Sequence, residues 1–400
     1  MVTISARAAA RLRHGHVWVY RSDAIAASDL AKGAVVSVAD ERRNLLGTAF
    51  YSTSSQIALR LISTGPVADV AALVSERMRA AIRLRQSWVE NSDSWRLIFS
   101  EADQLPGVVA DKYNDIVTVQ FLSQATEQEW FRSALLEVIR DEVKPAAIVE
   151  RVEERIRELE QLPERKSGVV GSNTPLKPTE GLNGAPTRTI FNLNGVRFHF
   201  HALEGQKTGA FLDQRENYAA AATYAHGEAM DVFTYQGGFA LHLARRCEHV
   251  LGVDASRAAL ETAEQNEALN REANRNEIEW MEANAFDLLK DYAGTGRQYD
   301  TIVLDPPAFA KTKKDAGSAL RGYKEINLRA LKMLRPGGIL VTCSCSHHVS
   351  EANFMDMLRD AASDARRLVR VLEKRGQAKD HPVLLGVPET AYLKCVILQV

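Results

Sequence analysis

Five short segments carry side chains able to do chemistry, and each closes an apolar run that reads as a β-strand. The last of them is Leu340-Val-Thr-Cys-Ser-Cys-Ser346. In an extended strand Cys343 and Cys345 face the same side. Cys343 reads as a small core residue. Cys345 lies nearer the carboxyl end, between Ser344 and Ser346, and reads as a nucleophile at the mouth of a sheet. Carbon 5 of cytosine is a poor nucleophile and accepts a methyl group once a thiolate has added to carbon 6, whereas an exocyclic amine needs no such adduct. The fourth segment, Tyr299 to Phe309, ends in Asp305-Pro306-Pro307. Its prolines stiffen the turn, so that backbone carbonyls and Asp305 can be placed against a flat base. Asp305 is also the candidate proton-abstracting base. His347 and His348 read as exposed loop residues. The one-residue gap between Cys343 and Cys345 is too tight for ordinary zinc spacing, and no metal is expected.

The other three segments read as a cofactor cleft. Asp231-Val-Phe-Thr-Tyr-Gln-Gly-Gly-Phe239 brings Asp231, Phe233, Tyr235 and Gly237 to the first loop. It holds one glycine pair and no G-x-G-x-x-G, which disfavours a dinucleotide and, with it, a nicotinamide dehydrogenase. Asp254, followed by Ser256, can accept two hydrogen bonds from a ribose diol. Glu282-Ala-Asn-Ala-Phe-Asp287 offers Asn284 to an adenine edge, with Ala285 beside it and Phe286 placed to stack. This ordered set suits S-adenosylmethionine, a ligand with no phosphate to cradle and a charged amino-acid tail.

Positioning these loops requires alternating strands and helices. Candidate strands are 229–233, 249–254, 278–282, 301–305, 338–343, 368–372 and 393–400. Candidate helices are 240–245, 256–271, 323–334 and 351–365. The alternation predicts a mostly parallel sheet covered on both faces, ending in an antiparallel pair. Before residue 190 the pattern differs. Residues 1–67 read as a small β-rich unit, with strands near 33–39, 45–51 and 57–62. Residues 68–190 read as an α+β unit, with helices near 67–85 and 127–140 and a hairpin over 108–121. The stretch 175–186 reads as a loop. Residues 191–400 form the third unit.

The chain has 400 residues, 46% hydrophobic and 25% charged, which excludes a disordered chain and predicts several domains. With 50 basic and 51 acidic residues, bulk charge argues against coating nucleic acid, yet the first 65 residues hold eight basic side chains against four acidic ones. That excess, beside Trp18 and Tyr20, can grip a polyanion or simply face solvent. No run reaches the roughly 18 apolar residues of a membrane helix. Residues 1–20 lack the apolar core of a secretory signal. Four cysteines without a CxxC pair predict no disulfide framework, and a reduced, cytoplasmic setting is expected.

These residues resemble a known family, the class I S-adenosylmethionine-dependent 23S ribosomal RNA 5-methylcytosine methyltransferases with an amino-terminal PUA domain. The resemblance runs through Gly15-His-Val-Trp-Val-Tyr20, Gly33–Val38, Leu105-Pro-Gly-Val-Val-Ala-Asp-Lys-Tyr113, Gly205-Gln-Lys-Thr-Gly-Ala-Phe-Leu-Asp-Gln-Arg215, Arg321–Leu328 and Asp380-His-Pro382. It implies an α/β multi-domain chain: a β-rich PUA domain, a central α+β domain and a Rossmann-like methyltransferase domain. It implies that Gln206, Lys207, Phe211 and Gln214 line the cofactor cleft and that Cys345 is the nucleophile. Arg7, Arg11, Arg13, Arg215 and Lys324 are the expected RNA contacts. The partner implied is 23S ribosomal RNA, with no membrane and with a homodimer left open. Two positions depart from the family. Asn284 stands where an acid is usual, and would accept from the adenine amine through its carbonyl oxygen. Pro307-Ala308 stands where broader RNA 5-methylcytosine enzymes carry a second cysteine. Two rivals remain: a nucleobase N-methyltransferase using Asp305-Pro306-Pro307, and a non-catalytic RNA-binding ribosome assembly factor.

Overall fold

Alternation of buried and exposed residues sets the first sheet. In Val35–Ala39, Val36 and Val38 point inward while Val35 and Ser37 face out, the period of a half-buried strand. The computed structural model describes residues 1–26, 30–173, 184–203, 210–274, 276–310 and 312–400. The first sheet has six strands in the spatial order 18–20, 57–63, 45–51, 35–39, 2–4 and 24–26. The helix Ala6–Arg13, capped by Ser5, buries Ala8, Ala9 and Leu12, which join Val2, Ile4, Val38 and Leu59 in one core.

A second sheet follows, in the order 168–171, 147–150, 116–121, 108–113 and 94–99. Its helices are Val70–Trp88 and Glu129–Glu142. The expected hairpin is present, with Tyr113 opposite Ile116 and Asn114 left-handed at φ 51°. A further hairpin, Arg188–Leu193 with Val196–His201, turns on Asn194-Gly195, both at positive φ. Asn-Gly is the residue pair that such a tight turn favours. The expected loop at 175–186 lies largely outside the described residues.

The third sheet holds the chemical segments. Its strands in chain order are β1 (Glu228–Val232), β2 (His249–Asp254), β3 (Ile278–Glu282), β4 (Tyr299–Leu304), β5 (Leu334–Ser344), β6 (Arg370–Arg375) and β7 (Lys394–Gln399). Their spatial order is β3-β2-β1-β4-β5-β7-β6. The first five are mutually parallel, and β7 runs antiparallel to both β5 and β6. The antiparallel ending is therefore as expected, with β7 inserted between its neighbours. The helices are α1 (Arg215–Tyr224), α2 (Gly238–Leu243), α3 (Arg257–Asn270), α4 (Ala285–Thr295), α5 (Ala316–Met333) and α6 (Glu351–Asp364). Central strands are buried on both faces and read as apolar runs: Val232, Val253, Leu304 and Val341 are all fully buried.

Two compact units emerge. One comprises residues 1–192, 200–212 and 379–390; the other comprises 193–199, 213–378 and 391–400. The Asp380-His-Pro382 string thus belongs to the first unit, where the Asp380 carboxylate accepts the Arg96 backbone N–H at 2.8 Å. Among the described residues no helix is long and apolar enough to cross a membrane.

Candidate active site

In an open parallel sheet, ligands bind at the carboxyl ends of strands where the strand order reverses, here between β1 and β4. Asp231 is fully buried in β1. Its Oδ2 accepts from the Thr234 hydroxyl at 2.6 Å and the Ala240 N–H at 2.9 Å. Its Oδ1 has no hydrogen-bond partner among the described residues. Burial pushes its pKa up to about 7. The following loop is tight: Phe233, Tyr235 and Gly237 have φ of 69°, 51° and 83°. The two non-glycine residues cost about 1–2 kcal/mol each in that conformation. A Cβ on Gly238 would fall 2.6 Å from the Tyr218 ring, so only glycine lets α2 start there.

The β2 acid closes this loop. Asp254 Oδ2 accepts the Tyr235 N–H at 2.9 Å, and Oδ1 accepts the Ser256 N–H at 2.9 Å. Each oxygen keeps a second lone pair for a ribose hydroxyl. Ser256 caps α3 through Ala259. At the end of β3 the structure corrects one expectation. The Asn284 carbonyl oxygen, assigned above to the adenine amine, caps α4 instead, accepting from Phe286 N at 2.9 Å and Asp287 N at 3.4 Å. Ala285 is buried behind it. Phe286 is 38% exposed, and its ring lies 5.7 Å from Phe309, which in turn lies 4.6 Å from Tyr323.

At the end of β4, an Asp305 carboxylate oxygen accepts from Gln214 Nε2 at 3.0 Å. Burial, then the nearby Asp213 and Asp231 carboxylates, push Asp305 up to about 8. Burial, then the Asp305, Asp213 and Asp231 carboxylates, push the Tyr218 hydroxyl well above its ordinary pKa and keep it protonated. The next loop carries Cys345. Strand β5 ends at Ser344, so the same-face argument for the two cysteines does not apply. Cys343 is fully buried opposite Cys395, and Cys345 is partly exposed. Its Sγ lies 4.0 Å from the Pro306 carbonyl. Ser346 fixes the loop: its Oγ accepts from Ala310 N at 3.2 Å and shares a 2.9 Å hydrogen bond with Tyr323, while its carbonyl accepts from Lys394 Nζ at 2.7 Å. His347 and His348 are exposed.

The structure thus brings together Gln214, Asp231, Asp254, Asp305 and Cys345 in one unit. Gln206 and Lys207 lie outside the described residues. Phe211 is 37% exposed and belongs to the other unit. The expected RNA contacts divide. Arg7 and Arg11 lie 2.9 and 3.0 Å from the buried Asp23 carboxylate, and Arg13 lies 2.7 Å from Asp40, with side-chain exposures of 72%, 31% and 53%. Arg215 is only 3% exposed, a guanidinium turned away from any solvent-borne phosphate. Lys324 is paired at 2.7 Å with Asp364, the last residue of α6, and keeps about a third of its side chain exposed. Sequence reasoning missed Tyr218, Phe309, Tyr323 and Lys394. Lysine inside the apolar run Leu393-Lys-Cys-Val-Ile-Leu398 was the one available signal.

Comparisons with known proteins identify the family and the fold. A PUA-like domain family matches residues 2–64, and an S-adenosylmethionine-dependent methyltransferase family matches residues 126–398. The chain is 35% identical over 394 residues to ribosomal RNA large subunit methyltransferase I of Photobacterium profundum, covering 96% of this chain and 95% of the relative. It is 36% identical over 388 residues to the protein of that name from Erwinia tasmaniensis, covering 95% and 94%. Among solved structures, a protein assigned as a SAM-dependent methyltransferase from Streptococcus mutans superimposes with a TM-score of 0.80 at 19% identity, with both chains fully covered. A methyltransferase complexed with SAH gives 0.81 at 18%, covering 100% and 99%.

Proposed function

The chain belongs to the S-adenosylmethionine-dependent methyltransferase family and opens with a PUA-like domain; on that premise we propose that it methylates carbon 5 of a cytosine in large-subunit (23S) ribosomal RNA. The observation that carries the reading is the Cys345 thiol, partly exposed and 4.0 Å from the carbonyl of Pro306 in the Asp-Pro-Pro lip. The relatives named above act on ribosomal RNA of the large subunit by their names, which supports the substrate class.

The cofactor fits the residues present. The unpartnered Oδ1 of buried Asp231 suits the cofactor's ammonium. Asp254 would hold the ribose and Phe286 the adenine face. When bound, S-adenosylmethionine supplies an electrophilic methyl group. The Cys345 thiolate gives its electron pair to carbon 6 of the base, and the displaced π pair makes carbon 5 nucleophilic. After methylation the carbon 5 proton leaves to a base, the 5,6 double bond re-forms and the thiolate departs. Asp305 is our assignment for that base. Its ionised fraction can take the proton, while Gln214 holds the carboxylate in place. A duplex buries carbon 5, so the target is single-stranded or flipped out.

We read residues 1–67 and 68–190 as the parts that hold RNA and 191–400 as the catalytic part. Cys345→Ala should abolish 5-methylcytosine formation, read by mass spectrometry of digested RNA. Retained methylation at carbon 5 would refute the covalent role. An N-methylated base, formed equally by the variant, would favour the rival amine chemistry at Asp305-Pro306-Pro307.

A further inference from the structure

Lys394 opens β7 directly opposite Ser344 and is 8% exposed. Burying an ammonium is costly unless it is hydrogen-bonded and balanced by charge. Nζ donates to the Ser346 carbonyl at 2.7 Å and to the Tyr392 carbonyl at 2.9 Å. Both acceptors are neutral, and among the described residues no carboxylate forms an ion pair with it. The Cys345 thiol, one residue before the carbonyl that Nζ grips, can become an anion and interacts electrostatically with it. Other titratable groups face the same loop. Tyr323 comes from α5, Tyr392, whose hydroxyl donates to the Asp213 carboxylate at 2.6 Å, comes from the approach to β7, and His347 and His348 lie exposed on the loop itself. A tyrosine or a carboxylate cannot stabilise a thiolate by charge, so among the described residues Lys394 is the buried cation at this loop.

We propose that Lys394 is the positioning residue of the nucleophile, its ammonium gripping the Ser346 carbonyl and serving as counter-ion to the Cys345 thiolate. The assignment deepens the proposed reading of Cys345 and rests on it. Burial draws Lys394 down to about 8 while the thiol opposes that fall, so the cation still predominates at neutral pH. A cation beside a thiol lowers the thiol's pKa and raises the thiolate fraction there.

The test is the pH profile of iodoacetamide alkylation at Cys345, read by peptide mass spectrometry on the full chain without RNA. The other three cysteines are buried. Wild type should give an apparent pKa below the roughly 8.5 of a free thiol. Lys394→Met should raise it and slow alkylation at pH 7 about ten-fold, a shift of about one pKa unit, and Lys394→Arg should keep the wild-type profile. A wild-type value at or above about 8.5, or a folded Lys394→Met variant with an unchanged profile, overturns the proposal. If Lys394→Met does not fold, the wild-type value decides alone. Alkylation needs neither RNA nor cofactor, so failure of the methylation reading and failure of this one are separately visible.

Discussion

Asp231 and Asp305 stand fully and partly buried with few donors, and both retain protons near neutral pH. An unfolded aspartate ionises near 3.9, whereas folded Asp305 does so at about 8. Between those values the native state binds more protons than the unfolded state, so this group's stabilising contribution is complete below about 4 and is lost as pH rises toward 8. Melting of the unliganded protein should therefore become less pH-dependent over that interval in Asp305→Asn, and the variant should gain on wild type above pH 8; parallel curves would contradict it. A cationic ligand favours the ionised carboxylates, so S-adenosylmethionine should bind more tightly as pH rises from about 6 to 8 and release protons on binding. Calorimetry at pH 7 in two buffers of different ionisation enthalpy measures this, and identical heats would refute it. Gly238→Ala places a methyl group 2.6 Å from the Tyr218 ring. Such overpacking typically costs about 1–3 kcal/mol; a lower melting temperature and weaker cofactor binding are expected, and wild-type behaviour would show that α2 can shift freely.

The elements that hold these groups are stabilised mostly by local rules. Asn284 caps α4 with two backbone hydrogen bonds, so Asn284→Ala should cost about 1 kcal/mol of stability, measured by urea denaturation. Asn284→Asp should keep the cap, since both residues are favoured there. Equal stability of the alanine variant would mean that the cap is idle. Strands β1, β2 and β4 were legible in the sequence because burial on both faces writes them as mostly apolar runs. Helix α4 was not, because its capping residue was read as a ligand. The strand Ser94–Phe99 was missed as well: Arg96 interrupts its apolar pattern, yet it is paired with the buried Asp111 at 2.8 Å. The candidate site residues Asp231, Asp254, Asp305 and Cys345 were legible because each lies at or just past the carboxyl end of a readable strand. Lys394 was not, because its role depends on the β5–β7 register, which sets it opposite Ser344. That pairing joins residues 50 positions apart, and no local pattern encodes it.

At the scale of the molecule, charge is sorted by location and not by total. The first 65 residues hold a basic excess in a nearly neutral chain, and Arg7 and Arg13 leave more than half of their side chains exposed even while paired. If they contact phosphate, Arg7→Ser with Arg13→Ser should lower the slope of log affinity against log salt by about 1–2 on an RNA fragment. An unchanged slope would place the RNA elsewhere. The central claim is a sulfur–carbon bond between Cys345 and a cytosine. Incubating the full chain and S-adenosylmethionine with large-subunit RNA containing 5-fluorocytosine, then mapping the protease digest by mass spectrometry, tests it most directly. Fluorine cannot leave as a proton does, so the account predicts a stable methylated adduct on the peptide carrying Cys345, absent in Cys345→Ala. RNA attached to another residue, or no adduct from enzyme that methylates ordinary cytosine at carbon 5, would contradict it.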